Sequence, residues 1–332
     1  MLSRSTAINR INHITRNLTT TATRNNSTMS AQVTRTPTKT VYAQETPEGV
    51  GATVRRSIGT YALRNLSPFL MLDHAKIQKG SGFPDHPHRG QSTVTYCLKG
   101  KMGHEDFTGA AGTLEPGDVQ WMTAGRGIVH SEMPVFDGDY DEVEGMQLWV
   151  DLPADKKMIE PSYQEKKAAD IDTAKPADGV TIKVISGKSH GVEGFVRPVG
   201  GCWFLDVRLE KPGATVFQEI PEGWTGFAYI ISGSAQFGEE ATPTNKFNTV
   251  VFSAEPGQNG VQITRPEGTT EETRLLVIAG EPLDQPCVQH GPFVVTSQRE
   301  VLQAMVDYQT GRNGFENAPR WKSKLGAPLR GD

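Results

Sequence analysis

Apolar and polar residues alternate from Val50 to Arg56, which predicts a strand with one buried face. Thr93-Val94-Thr95-Tyr96-Cys97-Leu98 reads as a second strand ending at the turn signal Lys99-Gly100. Leu114-Glu115-Pro116-Gly117-Asp118 is a turn that delivers Val119 to Thr123 as the next strand, and Gly145 to Leu152 is another. Apolar content then drops between Lys166 and Gly179, which predicts a linker over 166–179. The second half repeats the order: Trp203 to Leu209, Gly226 to Ile231 ending at Ser232-Gly233, Thr249 to Phe252, and Leu275 to Ala279. Tyr96 to Gly100 corresponds to Tyr229 to Gly233, and Glu115-Pro116-Gly117 to Glu255-Pro256-Gly257, at separations of 133 and 140 residues. The chain therefore reads as all-β, a duplicated β-barrel unit with only the first copy carrying paired histidines. Near the C-terminus, Ser297-Gln298-Arg299-Glu300 has capping-box form, Val301, Leu302, Met305 and Val306 supply an apolar stripe, and Gly311 is a stop, which predicts one short packing helix. The expected organisation is a basic tail over 1–44, a first barrel over 45–165, the linker, and a second barrel with the helix over 180–332.

The 332 residues suffice for two ordinary domains, and 35 Gly with 21 Pro support many short strands joined by turns. The net charge of −4 hides an asymmetry, because residues 1–44 hold six Arg/Lys and no acid, leaving the remainder near −10. So acidic a body is a poor direct ligand for nucleic acid, and any role near DNA is expected to run through a protein partner. Cys97, Cys202 and Cys287 are odd in number and far apart, which suggests neither a disulfide framework nor a thiolate zinc site and fits a reducing compartment. No apolar run reaches membrane-spanning length. Arg4, Arg10, Arg16 and Arg24 lie amid Ser, Thr and Asn, while Ile8, Ile11, Ile14 and Leu18 share a helical face, a composition that predicts mitochondrial targeting. Arg4 falls on the same face, so the amphipathicity is imperfect. Initiation at Met29 would yield a form without the leader, cytoplasmic or nuclear.

His86 and His88 form an i, i+2 pair, and His130 with Glu132 forms another 44 positions on. On a strand such pairs share a face, so two neighbouring strands would converge three imidazoles and a carboxylate on one point. Pro87 suits an edge strand, since it has no N–H for a ladder, and Gly125-Arg126-Gly127 before His130 permits a sharp turn or close backbone approach. The set suits iron, manganese, nickel, copper or zinc, and the lack of thiolates disfavours structural zinc. A six-coordinate ion would retain two open positions for substrate or dioxygen. His104 in Gly103-His104-Glu105-Asp106 is read as a polar, solvated strand end, because adjacent strand residues diverge. His13, His74, His190 and His290 are read as structural or surface residues.

With both pairs placed, Phe83-Pro84-Asp85-His86-Pro87-His88-Arg89-Gly90, His104-Glu105-Asp106 and the run from Pro116 to Pro134 resemble the signature of the pirin family of bicupins. The resemblance runs from about Val50 to Lys324 and includes Ile278 to Pro282 and Gln289 to Phe293. It implies two cupin (jelly-roll) barrels face to face in a monomer, with one metal, usually iron, held by His86, His88, His130 and Glu132. It also implies either quercetin dioxygenase chemistry or an iron-dependent role assisting transcription factors of the NF-κB type, with signalling partners in plants. In the enzymatic case a flavonol would bind through its 3-hydroxyl, Glu132 would accept the proton as the catalytic base, and dioxygen would cleave the heterocycle with loss of carbon monoxide. One departure stands out: typical members keep a glutamate where this chain has Ser92, which leaves Glu132 as the carboxylate of the two motifs.

Overall fold

The computed structural model describes residues 31–330 apart from 139 and 239–241, so the leader and the start at Met29 lie outside the described residues. The chain runs through β1 (Pro37–Tyr42), β2 (Gln44–Glu48), β3 (Ala52–Ile58), β4 (Phe69–Gln78), β5 (Phe83–His88), β6 (Gln91–Lys99) and β7 (Lys101–Asp106). It continues through β8 (Ala111–Leu114), β9 (Val119–Thr123), β10 (Ile128–Val135), β11 (Glu142–Asp151), β12 (Ser162–Lys166), β13 (Thr173–Ala174) and β14 (Val180–Ser186). Next come β15 (Lys188–Ser189), β16 (Val192–Glu193), β17 (Cys202–Leu209), β18 (Thr215–Glu219), β19 (Thr225–Ser232), β20 (Ser234–Phe237) and β21 (Thr244–Asn245). The last are β22 (Asn248–Phe252), β23 (Gly260–Thr264), β24 (Thr273–Gly280), β25 (Val288–His290), β26 (Phe293–Val295), α1 (Gln298–Thr310) and α2 (Ala327–Arg330). No helix among the described residues is long and apolar enough to cross a membrane.

The duplication is visible strand by strand. A seven-stranded sheet ordered β12-β9-β6-β11-β4-β3-β2 faces a four-stranded sheet β5-β10-β7-β8, and the same pattern recurs as β1-β22-β19-β24-β17-β14-β13 with β18-β23-β20-β21. The first large sheet is closed by β12 from the end of its own half, whereas the second is closed by β1, contributed by the chain N-terminal to the first barrel. Tyr96 and Tyr229 occupy matching central positions, and Gly100 and Gly233 both turn the chain at positive φ. The match between the two Glu-Pro-Gly turns fails, however. The first precedes β9, whereas the second follows β22 and leads into β23, so they occupy different corners of their barrels.

Residues 32–44 are not a tail. β1 pairs with β22, Arg35 N donates to Gly260 O at 2.7 Å, and Ser253 N donates to Thr36 O at 2.8 Å. Five of the six β1 residues are exposed, so main-chain hydrogen bonds rather than apolar burial fix the strand, which left no hydrophobic pattern to read. Arg35 is fully buried and caps the second barrel, donating to Trp224 O at 2.6 Å and Pro221 O at 2.7 Å. The expected linker is likewise built in: Lys166 ends β12, and Thr173 and Ala174 pair with Lys183 and Ile182.

The barrels meet across a core that includes Phe69, Tyr96, Trp121, Phe204, Phe227 and Tyr229, with Phe69 and Phe227 edge to face at 5.0 Å. The two tyrosines make quasi-equivalent bonds across it. Tyr96 Oη donates to Asp206 Oδ2 at 2.7 Å, and Asp206 also holds Arg274; Tyr229 Oη lies 3.0 Å from His74 Nδ1, whose Nε2 is 2.6 Å from Glu144. His74 is thus structural. Because central strands such as β6 bury both faces, one inside the barrel and one against the other barrel, strict alternation fades from their sequences.

After β24 the chain returns to the first barrel. Ser297 Oγ caps α1 by accepting from Glu300 N, and Gly311 ends it at φ 65°. Ala304, Met305 and Tyr308 pack with Phe107, Met122, Ile128 and Phe315 over the first barrel, and Val301 is buried beside them in the same helix. Leu302 and Val306, expected in the buried stripe, are instead 64% and 51% exposed.

Candidate metal centre

Antiparallel pairing of β5 with β10 sets His86 opposite His130 and His88 opposite Ile128. Pro87 is tolerated because β5 is an edge strand. Gly127, at φ +153°, lets the C-terminal segment close over the start of β10, since a Cβ there would meet the Phe315 ring at 2.9 Å. One nitrogen from each of His86, His88 and His130 lies within 4.8 Å of the others. His130 Nε2 and His86 Nε2 are 2.9 Å apart.

The rings are oriented from behind. His86 Nδ1 donates to Pro84 O at 2.8 Å, which leaves Nε2 as the lone-pair nitrogen of the neutral ring. Gln91 Nε2 stands 2.7 Å from His88 Nδ1, while the buried Gln91 Oε1 has no partner among the described residues. Turning the amide over lets Oε1 accept the Nδ1–H and frees His88 Nε2 for a ligand. Trp149 packs edge on against His88 at 5.0 Å.

Burial pushes the His130 imidazole down to about 3 and His86 down to about 4, with the neighbouring imidazole adding to the effect on His86, and burial likewise holds His88 well below its ordinary value. All three are neutral at pH 7. One shared proton could satisfy only one pair of facing nitrogens, whereas a transition-metal ion satisfies three, so the residues fit such an ion. The depressed values also fix a pH dependence. An unfolded histidine titrates near 6.5, so between about 3 and 6.5 the unfolded chain binds the extra proton, and stability rises with pH across that window. Unfolding midpoints of the metal-free protein are therefore expected to fall from pH 6.5 to 5, by roughly 2 kcal/mol for His130 alone, with a shallower slope in His130→Ala. Equal slopes for the two proteins would contradict this assignment.

Glu132 stands beside the three rings, its Oε2 3.9 Å from His130 Nε2. Thr95 Oγ1 donates to Glu132 Oε1 at 2.6 Å, and Gln147 Nε2 donates to Oε2 at 2.9 Å. Neither residue was picked out from the sequence, although a lone glutamine within Met146-Gln147-Leu148-Trp149 signals a polar group on a buried strand. Ser92 faces away: it lies 3.2 Å from Thr123 Oγ1, on the face of β6 opposite Thr95, so the substitution there does not alter the cavity wall. His104 is a correction. It is buried rather than solvated, with Nε2 2.7 Å from Glu165 Oε1, because β7 lies inside the small sheet between β8 and β10.

His86 and His88 open on a cavity of about 520 Å³ with walls that include Val54, Met71, Phe83, Met146, Trp149 and Pro292, and with Thr95, Glu132 and Gln147 at its polar floor. The second barrel is filled at the same level by Val216, Phe237, Val261 and Ile263.

Two family models match this chain: Pirin over residues 51–150 and the Pirin C-terminal cupin domain over residues 204–314. The chain belongs to the pirin family. It is 46% identical to Pirin of Homo sapiens over 87% of this chain and 97% of that one, and 44% identical to Pirin-like protein 2 of Arabidopsis thaliana over 90% and 91%. Among solved structures it resembles a quercetin 2,3-dioxygenase from Acinetobacter baumannii, with a TM-score of 0.77 and 29% identity over 84% of this chain and 98% of that one. In the second barrel the counterparts of the ligand strands β5 and β10, namely β18 and β23, contain no histidine.

Proposed function

We propose that the first barrel is a metal-dependent dioxygenase-type site for a flavonol such as quercetin, with iron as the resident ion and manganese, nickel, copper or zinc as possible occupants. The observation that carries the proposal is the convergence of His86, His88 and His130, with Glu132 beside them, at the floor of a largely apolar cavity. When bound, the ion supplies open coordination positions and lowers the pKa of an attached hydroxyl. The chain supplies the rest. Met71, Phe83 and Trp149 offer flat apolar walls to a planar ring system and displace water from it. Glu132 is the carboxylate placed to hold or take the hydroxyl proton, steadied by Thr95 and Gln147.

Protein loaded anaerobically with iron, nickel or manganese is expected to consume dioxygen and release carbon monoxide when given quercetin and air. Glu132→Gln is expected to lower the turnover rate by about 10²–10⁴-fold, the usual contribution of a positioned base. Loaded protein of all three kinds that consumes no dioxygen would overturn the proposal. The resemblance to pirins also supports a second role, a redox-sensing co-regulator bound to a transcription factor or signalling protein. What favours it is the bonding of the C-terminal segment to β5: Asp85 Oδ2 accepts from Ser323 N at 3.2 Å and Arg89 from β5's end reaches Asp307 of α1, so a change at the ligands has a path to the surface.

A further inference from the structure

The cavity has a second polar end. Strand register sets Gln147 opposite Asp73 and Asp73 opposite Arg56, so one polar side chain per strand leads away from Glu132 across the large sheet. Arg56 donates from Nε to Asp73 Oδ1 at 2.8 Å, and from Nη2 to Asp73 Oδ2 at 2.6 Å and Glu48 Oε2 at 2.7 Å. Nη1 takes no part in these bonds. Glu48, Arg56 and Asp73 all line the cavity, Glu48 at its half-open rim. Neighbouring strands are about 4.8 Å apart, so Arg56 on β3 lies roughly 10 Å from Gln147 on β11. On either side of this polar row the wall is apolar, with Met71 and Ala75 flanking Asp73 along β4.

The sister barrel acts as an internal control. Its large sheet buries Val180, Ile182, Leu205, Val207, Leu275 and Val277 over the corresponding strands, a wholly apolar surface. This architecture therefore closes without an ion pair there. A buried carboxylate and guanidinium cost desolvation that apolar residues would avoid, and their retention in the barrel with the cavity points to a ligand.

We infer that Glu48, Arg56 and Asp73 form a specificity subsite for a phenolic hydroxyl on the substrate ring remote from the metal. The hydroxyl donates to the Glu48 carboxylate and accepts from Arg56 Nη1, while Asp73 holds the guanidinium in plane. The subsite favours polyhydroxylated flavonols over those carrying the metal-binding hydroxyl alone. The ligand class rests on the function proposed above.

Anaerobic calorimetry of the metal-loaded protein with quercetin and with 3-hydroxyflavone, which keeps the metal-facing groups and lacks the ring hydroxyls, tests this. The wild type is expected to bind quercetin about tenfold or more tightly than 3-hydroxyflavone. Glu48→Ala is expected to cut that preference to within about threefold by weakening quercetin alone. Because Arg56→Met strands Asp73, the paired change Arg56→Met with Asp73→Leu, which copies the apolar sister barrel, serves as the second variant and should lose the preference too. Equal binding of both flavonols by the wild type, or equal weakening of both by the variants, overturns the subsite while leaving a dioxygenase intact. Failure of both flavonols to bind overturns the subsite and the flavonol reading together.

Discussion

Arg89→Met is expected to destabilise the protein by about 3–5 kcal/mol, the usual result of removing one partner from a buried ion pair. Arg89 follows the ligand His88 directly, and its side chain and that of Asp307 are each 3% exposed. Nη1 donates to Asp307 Oδ2 at 2.8 Å, Nε to Arg126 O at 2.6 Å and Nη2 to Asn313 O at 2.7 Å, while the guanidinium lies 4.7 Å from the Phe315 ring centroid. Methionine fills much of the volume and supplies none of these donors, so two carbonyls and part of a carboxylate lose their partners in a dry site. Asp307 keeps Gln303 Nε2 and Asn313 Nδ2, both at 2.8 Å on Oδ1, so its loss of bonding is incomplete. The same segment grips β5 at its other end through Asp85 and Ser323. Arg89→Met is therefore expected to loosen the strand bearing His86 and His88 as well as the helix. Urea denaturation of the metal-free protein reads the first effect, and competition with a chelator reads the second as weaker metal retention. A change below about 1 kcal/mol would place Arg89 among surface ion pairs, in contradiction to its burial.

How much of this could be read in the sequence follows from what each residue rests on. The histidine pairs were legible because two-residue periodicity is a backbone property of strands, and both pairs do sit on neighbouring strands with side chains on one face. β1 was not legible, since its backbone pairs with β22 while its side chains stay in water. The helix was found and its inner face only in part: Val301 and Met305 turn inward as expected, but the charged Asp307 also lies inward to meet Arg89, while Leu302 and Val306 face outward. Apolar periodicity cannot anticipate a buried ion pair with a partner 218 residues away. Thr95, Gln147 and Asp73 escaped for a related reason, because their importance depends on cross-strand register, which becomes defined only when the sheet is assembled. His104 was misplaced because a polar tripeptide reads as solvated until its strand is known to be internal.

His130→Ala is expected to lose bound metal almost entirely, the largest effect of any single change at the centre. The ring is 1% exposed and supplies one of the three imidazoles that, among the described residues, lie within reach of a common point, so alanine leaves two rings on an edge strand and a carboxylate already engaged by Thr95 and Gln147. A ligand set reduced in this way still offers nitrogen donors but no longer encloses the ion. Both the proposed enzymatic role and the proposed redox-sensing role depend on the same occupancy. The measurement that bears most directly on it is elemental analysis of wild-type protein and His130→Ala, each purified without a metal-chelating tag. The wild type is expected to carry close to one equivalent of a transition metal, iron foremost, and the variant close to none; a wild type without metal, or a variant that retains a full equivalent, would contradict a metal centre in the first barrel.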